Sequence, residues 1–109
     1  MISRRSAAMA GAAVIIAALF GSEAFAESVT VAIANFTFTP AEMTVSAGTA
    51  VIFRNDDDIP HLVAASDGSF RSKALDTGDS YTFTFAKAGE YGYFCALHPH
   101  MVGKIVVKP

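Results

Sequence analysis

Hydrophobic and polar residues alternate along most of this chain, and the alternation has the period of a strand. Val29, Val31 and Ile33 interleave with Thr30, Ala32 and Ala34, as a strand with one buried face requires. Phe36 and Phe38 continue the set up to Pro40, where the missing N–H calls for a turn or bulge. Met43 and Val45 lead to Gly48, Thr49 to Asn55 is rich in β-forming residues, and a further strand is expected from His61 to Ala65. From Ser66 to Ser80 the periodicity fades around Gly68 and Gly78, which predicts a loop or short edge element between two halves of a sandwich. Tyr81, Phe83 and Phe85 then alternate, Gly89 marks a turn before Glu90 to Cys95, and Val102 to Val107 is a final apolar strand. No segment holds a helical period for long. Short strands punctuated by turns in this way predict an all-β fold, an antiparallel Greek-key β-sandwich.

The first residues break the pattern. Arg4 and Arg5 precede an uncharged run from Ala7 to Phe20, and Ala24-Phe25-Ala26 has the small-x-small form of a cleavage site. Residues 1–26 therefore read as a cleavable export signal, and 27–109 as a single domain destined for the periplasm. A retained membrane anchor fits less well, because the run falls short of the roughly 20 residues that span a bilayer and Glu23 follows it closely. Ser3-Arg4-Arg5 hints at twin-arginine export but lacks the apolar residue expected soon after the pair, so the export route stays open.

The chain carries 8 basic and 10 acidic side chains, a formal charge of −2 with neutral histidines. Losing Arg4, Arg5 and Glu23 makes the remainder slightly more acidic. Such a surface excludes nucleic acid as a partner. Asp56-Asp57-Asp58 reads as a solvated turn, in preference to a docking patch for a basic partner. A domain this small often relies on disulfides or a metal, and one cysteine, Cys95, allows no internal disulfide. A lone thiol in an oxidising compartment is a liability unless something occupies it, and a metal would do so.

The segment Cys95-Ala96-Leu97-His98-Pro99-His100-Met101 lies between two strands. A thiolate, an imidazole and a thioether three residues apart can converge within one loop, which a straight strand would not allow. The only histidine outside this segment is His61, just after the turn Asp56 to Pro60. Two histidines, a cysteine and a weak thioether make up the trigonal site used for copper electron transfer. Sulfur suits Cu(I) and couples to Cu(II), imidazole serves both states, and a distant methionine does not force the tetragonal geometry of Cu(II). Zinc is the chemical rival, but its usual donors are Cys, His and carboxylate rather than Met. Taken singly, Cys95 reads as a small core residue, Met101 as core filler and His61 as an ordinary imidazole; their conjunction carries the reading.

The sequence resembles the cupredoxins, in particular the plastocyanin and amicyanin group, along the whole of 27–109. Phe36-x-Phe38-x-Pro40, Val45-x-x-Gly48, Val51-x-Phe53-x-Asn55, Pro60-His61, Gly89-Glu90-Tyr91-x-Tyr93-x-Cys95 and Gly103-x-Ile105-Val106-Val107 carry the likeness. The two-residue gaps from Cys95 to His98 and from His98 to Met101 resemble the short amicyanin loop rather than the longer plastocyanin one. The resemblance implies a type I copper ion on His61, Cys95, His98 and Met101. It implies as partners redox proteins such as a c-type cytochrome or a periplasmic dehydrogenase, for example a quinoprotein amine dehydrogenase.

Three departures from the group matter. Leu62 and Ala96 stand where a side-chain amide and a hydroxyl commonly tie the site together, a paired loss that leaves neither partner unsatisfied, with the Leu62 N–H still able to donate to Cys95. His100 replaces an apolar aromatic residue and reads as an exposed loop histidine, ahead of a proton-sensitive element of the docking surface or a rival ligand; Pro99 stiffens the backbone between it and His98 and makes it a poor simultaneous ligand. Ser66 to Ser80 holds no recognisable partner motif. Tyr91 and Tyr93 share the Cys95 face and read as core aromatics, and Phe94, facing the other way, as packing. Four protein donors leave no open position for substrate, so the chain is expected to be a monomeric one-electron shuttle and not an enzyme. The alternatives are copper storage or delivery on the same scaffold, and a metal-free sandwich that only binds proteins.

Overall fold

A computed structural model describes residues 27–109; the export signal read at 1–26 lies outside the described residues. Eight strands and no helix are found among them: β1 Ser28–Ala34, β2 Thr37–Thr39, β3 Glu42–Ser46, β4 Thr49–Asn55, β5 Val63–Ala65, β6 Ser80–Phe85, β7 Gly89–Cys95 and β8 His98–Lys108. They form two four-stranded sheets, β2-β1-β4-β6 and β3-β8-β7-β5. The sandwich is as the alternation predicts. Pairing is antiparallel except for β1 with β4 and β3 with β8, which run parallel.

Period-two burial builds the core. Val31 and Ile33 of β1 and Val51 and Phe53 of β4 face Tyr93 and Cys95 of β7 and Ile105 and Val107 of β8, all buried. A side chain buried in this way contributes about 1.5–3 kcal/mol relative to exposure. Tyr93 meets Phe38 and Phe53 edge-on, with ring centroids 4.8 and 5.2 Å apart. The next inward position on β4 after Phe53 is Asn55, fully buried at the end of the sandwich that holds the candidate site.

Three local expectations change. The alternation through Phe36 and Phe38 is interrupted, because Asn35 and Phe36 form the two-residue turn of the β1–β2 hairpin, with Ala34 opposite Thr37. Phe38 remains in the core while Phe36 is exposed. The strand expected from His61 begins at Val63, and His61 instead forms an isolated bridge with Leu75. The stretch Ser66 to Ser80 is less loose than its composition suggests: it buries Phe70, Ser72 and Leu75, and the Ser72 N–H donates to the Val63 carbonyl at 2.8 Å.

Candidate metal centre

Two chain segments meet at one end of the sandwich. β7 ends in Cys95, a two-residue turn of Ala96 and Leu97 follows, and β8 starts at His98. Cys95 pairs with His98, but the preceding residue Phe94 pairs with Val102. Pro99, His100 and Met101 therefore bulge from the ladder, and a bulge re-aims side chains that a regular strand would alternate. The final strand thus starts four residues before the Val102 expected from sequence. Met101 is turned inward and buried, Pro99 and His100 are exposed, and His98 is partly exposed.

The second segment is the turn leaving β4. Asn55 directs it: its side-chain amide donates to the carbonyls of Ile59 (2.9 Å) and Leu75 (2.8 Å), while its own carbonyl oxygen accepts the Asp57 N–H at 2.8 Å. Two backbone hydrogen bonds with Leu75, at 3.1 and 2.7 Å, hold His61 in place. β5 then pairs with β7, setting Val63 opposite Cys95. His61 is thereby brought beside the cysteine with its side chain fully buried.

The donor atoms converge. His61 Nδ1 lies 3.5 Å from Cys95 Sγ, His98 Nδ1 lies 3.7 Å from it, and the three atoms fall within 4.8 Å of one another. On its far side, His61 Nε2–H donates to the Asp57 carboxylate at 3.0 Å. That bond fixes the tautomer and leaves the Nδ1 lone pair facing the sulfur, as a metal-ligating histidine requires. The hydrogen bond to His61 holds the Asp57 carboxyl below the usual carboxylate range, with the Asp58 and Phe36 amides adding to the effect. The Leu62 N–H donates to Cys95 Sγ at 3.4 Å. The Ala96 N–H donates to the Leu62 carbonyl at 2.9 Å. Main-chain groups thus make the link that the apolar pair Leu62 and Ala96 do not make with side chains.

This set fits copper. It offers one soft sulfur and two imidazole nitrogens, with the buried Met101 on the same loop, and without a carboxylate among the converging donors. His61, Cys95, His98 and Met101 form an arrangement like that of a type I copper site. His100 is on the outer wall beside Pro99, exposed and outside the donor cluster.

Two contributors escape the sequence reading. Asp57 lies in a run that reads as a solvated turn, and its four-residue spacing from His61 is the one available signal. Phe36 sits edge-on to His98, with ring centroids 4.9 Å apart, and to His61 at 6.0 Å. Its position in an alternating pattern points it to the core instead.

Residues 7–107 match the family model described as Cupredoxin-like domain. Amicyanin of Paracoccus versutus is 36% identical over 88 residues, covering 76% of this chain and 67% of that protein. The chloroplastic plastocyanin minor isoform of Arabidopsis thaliana is 33% identical over 118 residues, covering 94% of this chain and 64% of that protein. Among solved structures, a purple cupredoxin from Nitrosopumilus maritimus superposes with a TM-score of 0.69 at 30% identity, over 73% of this chain and 99% of that one.

Proposed function

Because this chain belongs to the cupredoxin-like family, we propose that residues 27–109 form a periplasmic one-electron carrier, delivered by an export signal at 1–26, with one copper ion held by His61, Cys95, His98 and Met101. The observation that carries the proposal is the convergence of two imidazole nitrogens and one sulfur within 4.8 Å, at one end of the sandwich. Bound there, copper supplies a centre that alternates between Cu(I) and Cu(II).

The chain's own residues supply the rest. The buried His61, bonded to Asp57, and Cys95, bonded to Leu62, belong to a frame that holds its shape when charge changes, which keeps reorganisation small. His98 is the donor that reaches the surface, beside Phe36, Leu97 and Pro99, with the exposed His100 on the same wall. A mainly apolar rim around the electron's exit suits brief encounters, since transient redox contacts bury little area. A c-type cytochrome or a periplasmic dehydrogenase is the class of partner proposed, met by a monomer. With four donors from the protein there is no position for substrate, so the role is transfer and not catalysis.

Storage or delivery of copper would need a site that opens. The backbone links from Leu62 to Cys95 and from Ala96 to Leu62 favour the carrier over that reading. The test is to load the protein with copper and follow its visible spectrum and voltammetry. An intense thiolate-to-copper band, reversible cycling and loss of both in Cys95→Ser are expected. A colourless Cu(II) adduct, or metal lost at each reduction, would overturn the carrier.

A further inference from the structure

We propose that Phe36 is a positioning residue for the metal centre, a ring held over the two histidines by a strained turn that serves this purpose. The inference rests on the copper reading above and adds a residue from outside the donor set.

The β1–β2 hairpin turns on two residues, both with positive φ: Asn35 at 53° and Phe36 at 56°. Two-residue hairpins of this kind need φ > 0 at both central positions, and the sequence that satisfies them best is Asn-Gly. Asn35 conforms. Phe36 stands where glycine is the unstrained choice, and a bulky residue in the left-handed region is a genuine outlier. Burial does not compensate for the strain, because Phe36 remains 54% exposed. A strained backbone under a half-exposed aromatic ring points to a role for the ring.

What the ring touches supplies that role. Its plane stands at 86° to the His98 ring and at 82° to the His61 ring. An aromatic edge directed at a π face is the favoured geometry for such pairs. The same hairpin is tied to the other side of the centre, since the Asp56 N–H donates to the Ile33 carbonyl at 2.8 Å. His61 is secured by Leu75 and Asp57. His98 has less support: it is partly exposed and adjoins a bulge. Phe36 is thus the side chain from the opposite sheet that packs on the less restrained donor.

The ring is therefore expected to slow the excursions by which His98 would let copper go. Phe36→Gly removes the ring and relieves the turn, so loosening of the site is separable from loss of fold. In metal-free protein, NMR of the wild type is expected to show ring-to-ring contacts between Phe36 and His98, with His98 ring order falling in Phe36→Gly while the melting temperature holds or rises. In copper-loaded protein, release to a Cu(I) chelator is expected to quicken roughly three- to tenfold in Phe36→Gly, the size of one aromatic pair. Phe36→Tyr should behave as wild type, and so should Val102→Ala, which trims another exposed apolar residue of the same end. Unchanged His98 order, unchanged release in Phe36→Gly, or Phe36→Tyr releasing as fast as Phe36→Gly would each overturn the inference. Should the wild type fail to load copper, the carrier reading falls, and the positioning role is then decided by the metal-free NMR alone.

Discussion

The backbone N–H of Leu62 donates to the sulfur of Cys95 at 3.4 Å, and the adjacent Ala96 N–H returns to the Leu62 carbonyl at 2.9 Å. At residues 62 and 96 both links use main-chain groups, so the side chains there are free to vary. Leu62→Ala and Ala96→Ser are expected to leave the position and intensity of the copper–thiolate band unchanged. A marked shift in either variant, read by visible absorption, would show that the side chains tune the sulfur directly.

Asp57 acts on the centre through the imidazole it faces. Asp57→Asn keeps an acceptor for the His61 Nε2–H but removes the negative charge that favours the more highly charged metal ion. We expect Cu(II) affinity to fall by roughly 10–100-fold, the usual range for loss of a partner behind a ligand, and the reduction potential to rise. Chelator competition and voltammetry check the pair; if neither moves, Asp57 is only a turn residue.

Asn55 is a buried polar side chain with two hydrogen bonds to the turn that leads to His61 and a third to Leu75, the residue that pairs with His61. Asn55→Ala strands the Ile59 carbonyl and the Asp57 N–H, each costing about 1–3 kcal/mol when it is not resolvated, and leaves the Leu75 carbonyl with the His61 N–H as its remaining donor. A loss of about 3 kcal/mol in urea unfolding of the metal-free protein is expected, together with weaker copper binding. Asn55→Asp should fare no better, because a carboxylate donates nothing to the carbonyls of Ile59 and Leu75.

Gly103 is needed for space. A Cβ there would fall inside contact distance of Cζ and Oη of Tyr93, and 2.7 Å from its Cε2. That ring is wedged between Phe38 and Phe53 and has nowhere to go. Gly103→Ala is expected to cost at least about 1–3 kcal/mol, the usual range for overpacking, lowering the melting temperature by roughly 4–8 °C per kcal/mol. Tyr93→Phe, by contrast, should be neutral or stabilising. The Tyr93 hydroxyl is buried without a hydrogen-bond partner among the described residues, and burial pushes its pKa up. Calorimetry of the two variants decides both points.

Much of the sandwich was legible because strand burial has a two-residue period that local sequence records. Val31 and Ile33, Val51 and Phe53, and Tyr93 and Cys95 all face inward as their alternation implies. The same rule misled at Phe36, where a hairpin turn without its usual glycine reversed the chain and sent an apparent core residue to the surface. Parallel pairing of β1 with β4 and of β3 with β8 left no local mark, since register between distant strands depends on how the chain crosses from sheet to sheet.

The four proposed donors show the same division. Cys95, His98 and Met101 could be grouped from sequence because seven consecutive residues contain them and short-range geometry brings them together. His61 could be named, as the one histidine left over, but its placement belongs to the tertiary structure. Asn55, Leu75 and the pairing of β5 with β7 deliver its Nδ1 to within 3.5 Å of the sulfur. The surroundings of the donors were decided entirely by long-range contacts: Asp57 behind His61, the Leu62 amide on Cys95, and Phe36 over His98. Sequence alone determined which atoms are available to hold a metal, because donor chemistry is a property of residue type. Only the fold decided how those atoms are oriented and restrained, because that depends on residues far apart in the chain meeting at one end of two sheets.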